Sequence, residues 1–405
     1  MHTRIPQRLP WPAVAAVILA VFLAGYGAGQ ASVARGADDQ GFALLRQLLT
    51  HIRQDYLWPA PDARVLFDGA ARGMLEALGD PYTRYMDATA FREFAQDAQG
   101  YFFGIGIFID IRDGQLIVVQ PIEGTPAHRA GLRPGDRIRA INNVSTEGMA
   151  LQEAVSRIRG PAGTRVVLRI QRADRTFEVE ITRARIQIVS VQGAGVLDAD
   201  LQKRLQGERL GYLRILTFND RTAEEVAAEL ARLQQAGVRG VVLDLRSNGG
   251  GLLEASLRVA ERFVPEGRPL VHIVDRAGRR TTERAGRGPK IRLPVVVLVN
   301  EFSASASEIL AGALKDSAGA TLVGIKTFGK GVIQSVYSLP GGGGAAITTS
   351  KYLTPADHDI HGKGVPPDVV AGDRLEGKSD AEVARIQQDQ LRRAVEVLRQ
   401  RVGGR

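Results

Sequence analysis

The chain has 405 residues, 44% of them hydrophobic and 24% charged, with a formal net charge of +9 and no cysteine. The missing cysteines exclude disulfides, thiol nucleophiles, cysteine metal sites and a lipidated cysteine anchor. The length suits about two to three domains with sizeable cores, and the arginines are scattered singly among few aromatics, which excludes a nucleic-acid-binding stripe.

The chain opens with Arg4 and Arg8 and then Trp11–Gly29, an uncharged, mostly apolar segment about long enough to span a bilayer. It reads as a single-pass anchor or a long signal peptide, with its basic flank leaving the rest of the chain outside the cytoplasm. Removing the first thirty residues takes away two arginines and no acids, so the net charge falls from +9 to +7. A basic surface near a membrane is the simplest account of that excess.

Residues 31 to 40 are small and polar and read as a stalk. Leu44, Leu45, Leu48, Leu49 and Ile52 then fall at helical spacing, and a turn at Trp58-Pro59-Ala60-Pro61 ends that pattern. Helical patterns resume at Leu66–Leu78 and Thr89–Gln99, and nothing in this module points to chemistry. From Tyr101 the composition shifts: strands are expected at Gln115–Val119, Val166–Ile170 and Thr176–Thr182, with a helix at Leu151–Ile158. Among them lie Phe103-Gly104-Ile105-Gly106 and the string Ala130-Gly131-Leu132-Arg133-Pro134-Gly135-Asp136.

After Ile186 strands alternate with helices, at Gly211–Thr217, Thr222–Gln235, Gly237–Leu245, Leu252–Phe263 and Leu270–Asp275, which argues βα units and a largely parallel sheet. Asp244-Leu245-Arg246-Ser247-Asn248-Gly249-Gly250-Gly251 follows a strand, where open α/β sheets place their sites. Its glycines form either a flexible turn or a cradle of backbone N–H groups for an oxyanion. A buried strand ending at Asn300 then meets a small-residue turn with Ser303, Ser305 and Ser307, followed by a helix marked by Ile309, Leu310, Ala313 and Leu314. A strand-to-helix turn can expose a nucleophile on a rigid mount, but Ser305 and Glu308 also spell a capping box. Beyond the strand-like Thr321–Ile325 comes Phe328-Gly329-Lys330-Gly331. A lysine delivered from the core has a depressed pKa and can serve as neutral general base to a serine, with Gln334 four residues on to hold it. The four glycines at 341–344 read as a turn before a strand at Ala345–Tyr352. His358 and His361 lie in a Gly/Pro-rich loop without a third ligand at recognisable spacing, so no metal is expected there. Asp380–Arg399 carries one apolar stripe and reads as a docking or association helix.

The motifs SASASE and TFGKGVIQ, 25 residues apart from Ser305 to Lys330, resemble those of the carboxyl-terminal processing peptidases, or tail-specific proteases, of serine–lysine type. The AGLRPGD region resembles a PDZ domain, and Leu66 through Tyr85 resembles the N-terminal region of the same peptidases. The resemblance implies Ser305 as nucleophile, Lys330 as general base and Gln334 as its orienting partner; spacing alone does not choose among the three serines. It further implies an oxyanion hole from Gly250 or Gly251 with Ala306, and a tail-carboxylate loop at Phe103, Gly104, Ile105 and Gly106. The fold class it implies is α/β: a crotonase-like ββα-spiral protease core with an inserted or preceding PDZ domain and an N-terminal helical segment.

The expected organisation is a signal peptide or anchor over 1–30, a stalk and helical region over 31–98, the PDZ domain over 99–185, the protease core over 186–372 and a C-terminal helix over 373–405. The expected function is cleavage of proteins near or from their C-terminus in the periplasm or another extracytoplasmic space, without a cofactor. Substrates are unfolded or C-terminally exposed proteins; an adaptor or lipoprotein partner and self-association stay open. Rival readings are an inactive PDZ scaffold that binds tails without cutting them, a histidine-dependent serine hydrolase, and a crotonase-like acyl-transfer enzyme.

Overall fold

The structure is a computed structural model that describes residues 35–197 and 209–403. The chain divides into two compact units, one ending at Gly73 and one running from Met74 to the C-terminus. The first holds helix α1 (Arg35–Asp55) and most of α2 (Ala63–Glu76). The stalk expected at residues 31–40 is thus helical from Arg35, continuous with the leucine-spaced helix behind it. Phe42, Leu44, Leu48, Trp58 and Phe67 are exposed. Among the described residues no helix is long and apolar enough to cross a membrane; the anchor expected within residues 1–30 lies outside the described residues.

In the second unit a short strand β1 (Arg84–Met86) leads into helix α3 (Ala88–Ala98). Asp87 starts that helix by accepting the N–H groups of Thr89 and Ala90 on its carboxylate, both at 2.9 Å. Strand β2 (Tyr101–Gly104) pairs antiparallel with β9 (Ala184–Gln187), so the chain entering the next subdomain and the chain leaving it form one ribbon. Between them lie β3 (Ile107–Arg112), β4 (Gln115–Pro121), β5 (Arg137–Ile141), β6 (Val144–Ser145), β7 (Arg165–Arg172) and β8 (Arg175–Thr182), in one sheet of order β3-β4-β5-β7-β8 with β6 on β5. Val166, Leu168 and Ile170 alternate inward on β7, the period of a half-buried strand. With Val118, Ile138 and Ile141 they pack under Ala154 and Ile158 of helix α5 (Leu151–Ile158), which follows the short α4 (Pro126–Arg129).

The larger sheet runs β10 (Val191–Val196), β11 (Gly211–Ile215), β12 (Val241–Asp244), β15 (Val295–Val299), β16 (Thr321–Gly324) and β19 (Val369–Val370). The pairs from β11 onward are parallel, as the strand–helix alternation predicts. Its central strands β12 and β15 are buried on both faces, and alternate residues serve two different cores. Val241, Leu243, Val295, Val297 and Val299 face the core shared with helices α6 (Thr222–Gln235), α7 (Leu253–Ala260) and α8 (Ala306–Ala318). Val242, Val296, Leu298 and Val323 face Ala394, Val395 and Leu398 of the C-terminal helix α9 (Asp380–Gly403). That apolar stripe is therefore a docking face within the chain.

A second sheet joins β13 (Pro269–Asp275), β14 (Arg280–Arg284), β17 (Val332–Ser338) and β18 (Gly344–Leu353), and β1 adds to it through Arg84↔Ala346 and Met86↔Gly344. The glycine run explains how that strand comes so close. A Cβ on Gly344 would lie 2.3 Å from the Phe91 ring, and one on Gly343 would lie 2.8 Å from Met86 O.

Candidate active site

Strand β15 ends at Val299, and Ser305 caps helix α8 at φ 56°, ψ −116°. That backbone conformation is strained by roughly 1–3 kcal/mol for a residue with a side chain, and it persists only where surrounding bonds over-determine it. Ser305 N–H donates to Glu308 Oε2 at 2.9 Å, so the capping-box bond from Glu308 exists. The three serines of the turn differ sharply. Ser303 donates its hydroxyl to Leu245 O at 2.8 Å, and Ser307 donates to Asn248 O at 2.9 Å; both are fully buried and tie α8 to the glycine loop. Ser305 instead lines a cavity of about 410 Å³.

Lys330 lines the same cavity, as do Gly251, Ala306 and Gln334. Its Nζ lies 4.9 Å from the centre of the Tyr82 ring. Burial holds the ammonium pKa below the ordinary lysine value; the Arg84 charge lowers it further, while Asp80 and Glu308 pull upward. Gln334 donates from Nε2 to Thr348 Oγ1 at 3.1 Å, and among the described residues it makes no direct hydrogen bond to Lys330. Thr348 N–H in turn donates to Thr83 Oγ1 at 3.0 Å, which links this wall to the segment before β1.

Glu308 is the hub of the site. Its Oε2 accepts the N–H groups of Ser305 and Lys330, each at 2.9 Å, and its Oε1 accepts Thr327 Oγ1 at 2.6 Å and Gly329 N–H at 2.7 Å. Burial pushes its carboxyl pKa upward against the pull of these four donors. Spacing offered Glu308 only as a helix-cap partner; its bonds to the lysine loop are long-range.

The glycine loop separates the two oxyanion candidates. Gly250 N–H already donates to Asn248 Oδ1 at 2.9 Å, whereas Gly251 and Ala306 line the cavity and their N–H groups have no acceptor among the described residues. Both glycines need their left-handed backbone, at φ 102° and 139°. A Cβ on Gly251 would fall 2.1 Å from Phe218 O. Beneath the loop, buried Arg246 pairs with Asp244 at 2.6 Å and donates to Gln390 Oε1 at 3.2 Å, so α9 braces the loop from behind.

Tyr82 and Arg84 were not anticipated, since nothing local in their sequence sets them apart. The rest of the cavity wall is largely apolar, with Phe94, Leu253, Ile309 and Val336. His361 stands edge-on to Tyr82 at 6.2 Å, and no group of three metal-ligating side chains is gathered among the described residues.

A second groove, of about 930 Å³, runs between β3 and α5 and is lined by Gly104, Ile105, Gly106, Ile107, Val155 and Ile158 among others. Phe103, expected in the carboxylate loop, packs edge-on to Tyr101 at 5.5 Å, and Phe102 lines the groove in its place. The alternation of β2 turns neighbouring side chains to opposite faces. Asp97 and Thr217 line both cavities, so the two adjoin.

The model of peptidase family S41 matches residues 209–371, that of a PDZ domain matches 117–172, and that of the N-terminal domain of the activating protease CtpB matches 28–90. The chain is 35% identical over 362 residues to the carboxy-terminal processing protease CtpA of Bacillus subtilis, covering 89% of this chain and 75% of the relative. It is 42% identical over 303 residues to the carboxyl-terminal-processing protease of Synechocystis, covering 74% and 70%. A solved structure from Bacteroides fragilis, assigned to the S41 proteases, superposes with a TM-score of 0.52 at 17% identity over 84% of this chain and 95% of that one, a likeness of fold. The chain therefore belongs to peptidase family S41, as a carboxyl-terminal processing peptidase that carries a PDZ domain.

Proposed function

We propose that this peptidase cleaves protein substrates near their C-terminus with Ser305 as nucleophile and Lys330 as general base. The observation that carries the reading is the shared cavity: one serine of three lines it, together with a lysine whose charged form is disfavoured by burial. Neutral Lys330 takes the Ser305 proton as Oγ bonds to the scissile carbonyl carbon. The oxyanion is held by the N–H groups of Gly251 and Ala306, preorganised donors of the kind that contribute most to such reactions. The C–N bond then breaks as the lysine ammonium protonates the leaving amine, and water, deprotonated by Lys330, hydrolyses the acyl-enzyme. Gln334 is assigned the orienting role, supported by its place beside Lys330 on the cavity wall.

The substrate tail is assigned to the second groove, added as a strand along β3 with its carboxylate at Gly104-Ile105-Gly106. The sequential, parallel order of β11, β12, β15 and β16 with intervening helices supports a crotonase-like core. We place the enzyme outside the cytoplasm on the strength of Arg4, Arg8 and the apolar Trp11–Gly29 segment. Self-association is assigned to the exposed apolar residues of α1 and α2, and the match to the CtpB N-terminal domain supports regulation by a partner through that region. The test is cleavage of an unfolded protein with an apolar C-terminus by the chain and by its Ser305→Ala and Lys330→Ala variants. Loss of cutting in both with tail binding retained is expected; cleavage that survives both sinks the mechanism.

A further inference from the structure

We infer that Tyr352 is a positioning residue that fixes the spacing of the Ser305 and Lys330 main chains, and so the reach of the lysine to the serine. The inference rests on the Ser305–Lys330 reading above. Ser305 and Lys330 stand on different elements, and no strand pairing links their two peptides directly. Two side chains span them. On the N–H side, Glu308 Oε2 accepts from both residues at 2.9 Å. On the carbonyl side, the single proton of Tyr352 Oη is shared as a three-centre bond, donated chiefly to Lys330 O at 2.6 Å and more weakly to Ser305 O at 3.1 Å. The two peptides are therefore bracketed at both ends by one carboxylate and one hydroxyl.

Tyr352 is suited to the task by its own mounting. It lies on β18, which pairs with β17, the strand that leaves the lysine loop, and its N–H donates to Gly331 O at 3.0 Å. Main chain and hydroxyl thus grip consecutive residues of that loop. The side chain is 1% exposed and packed in the main core, so close packing resists displacement of its ring. Burial and the nearby Glu308 charge keep the phenol protonated, so it remains a donor across the working range of a lysine base.

An ordinary buried tyrosine satisfies its hydroxyl with a single acceptor. This one reaches across to the carbonyl of the strained serine, which already accepts Glu308 N–H at 2.8 Å and Ile309 N–H at 3.0 Å. A misplacement of about 1 Å at a reacting pair costs on the order of a hundredfold in rate. Holding that distance is a kinetic role, separable from filling the core.

The experiment uses the full chain with Tyr352→Phe, which keeps the ring and removes the hydroxyl. On a peptide with an apolar C-terminus, kcat is expected to fall by about 10- to 100-fold, with KM within about twofold. The acid limb of the pH profile is expected to stay in place, because the surroundings of Lys330 Nζ are untouched. A folded Tyr352→Phe enzyme with unchanged kcat overturns the inference, as does a loss carried by KM alone. If Tyr352→Phe does not fold, 4-aminophenylalanine at position 352 carries the test. Its N–H donors occupy the same place and are expected to keep kcat within about threefold, whereas a folded protein slowed tenfold or more overturns the role. Cleavage surviving Ser305→Ala and Lys330→Ala sinks the dyad and this role together. Inactive dyad variants beside a fully active Tyr352→Phe sink this role alone.

Discussion

Replacing Glu308 by glutamine tests whether the hub carboxylate holds the site by its geometry. The change keeps shape and volume but turns one acceptor oxygen into a donor. If the amide nitrogen takes the Oε2 place, it faces the N–H groups of Ser305 and Lys330, neither of which can rotate away, and two buried donors are orphaned. If it takes the Oε1 place, it faces Gly329 N–H and the Thr327 hydroxyl. That hydroxyl can turn to accept the amide, though it also accepts Val365 N–H at 2.7 Å and its own proton then has no partner. The second arrangement is cheaper and leaves one backbone donor and one hydroxyl proton unsatisfied. At about 1–3 kcal/mol per buried orphan, less the relief of removing a buried charge, the net loss is about 2–4 kcal/mol. Urea unfolding followed by a core signal measures it, and kcat on a tail peptide is expected to fall at least about tenfold. A Glu308→Gln protein within about 0.5 kcal/mol of the parent and with unchanged kcat would refute the reasoning.

The remaining predictions concern charge and backbone. Lys330 has a folded pKa below its unfolded value, so the neutral base is lost as pH falls through the folded value; kcat is expected to decline there, as a pH–rate profile will record. The same shift means that charging Lys330 opposes folding below its ordinary pKa, so Lys330→Met is expected to melt higher than the parent at neutral pH while cutting nothing. Arg84→Ala removes a charge that depresses the lysine and is expected to move the acid limb to higher pH; an unmoved limb would show that burial alone sets it. Gly251→Ala puts a Cβ 2.1 Å from Phe218 O and is expected to cost about 10²–10³ in kcat through the lost oxyanion donor, read with a tail peptide. Val155→Asp places a charge on the wall of the tail groove and is expected to raise KM about fivefold or more for substrates with an apolar C-terminus.

The local signals in this sequence were strong where periodicity and flanks agreed. The helices expected at Leu151–Ile158 and Thr222–Gln235 occupy those residues, and the apolar run after Leu293 is strand β15. The strand–turn–helix mount of Ser305 was equally legible, because five consecutive valine and leucine residues and the small residues after them admit little else. What spacing could not supply was partnership across the chain. Tyr82, Arg84 and Tyr352 reach the site only because β1 and β18 pair in one sheet, and pairing between distant strands leaves no trace in a local window. The choice of Ser305 over Ser303 and Ser307 likewise depends on where the neighbouring carbonyls fall. Two serines are consumed as ties, which only folding reveals.

The ribbon of β2 and β9 bears on how the PDZ subdomain can move. A domain hung on one strand of chain can swivel about it; one hung on two hydrogen-bonded strands resists torsion and bends across the flat of the ribbon. Both strands continue into elements of the peptidase. β2 continues backward through Gly100 into α3, whose Phe94 and Asp97 line the candidate cavity, and β9 continues through Ser190, which donates its hydroxyl to Glu225 of α6. The neck therefore joins the subdomain to a helix of the candidate cavity wall through two residues, Gln99 and Gly100. On the function proposed above, a tail docked in the second groove bears on that wall through the paired strands of the ribbon.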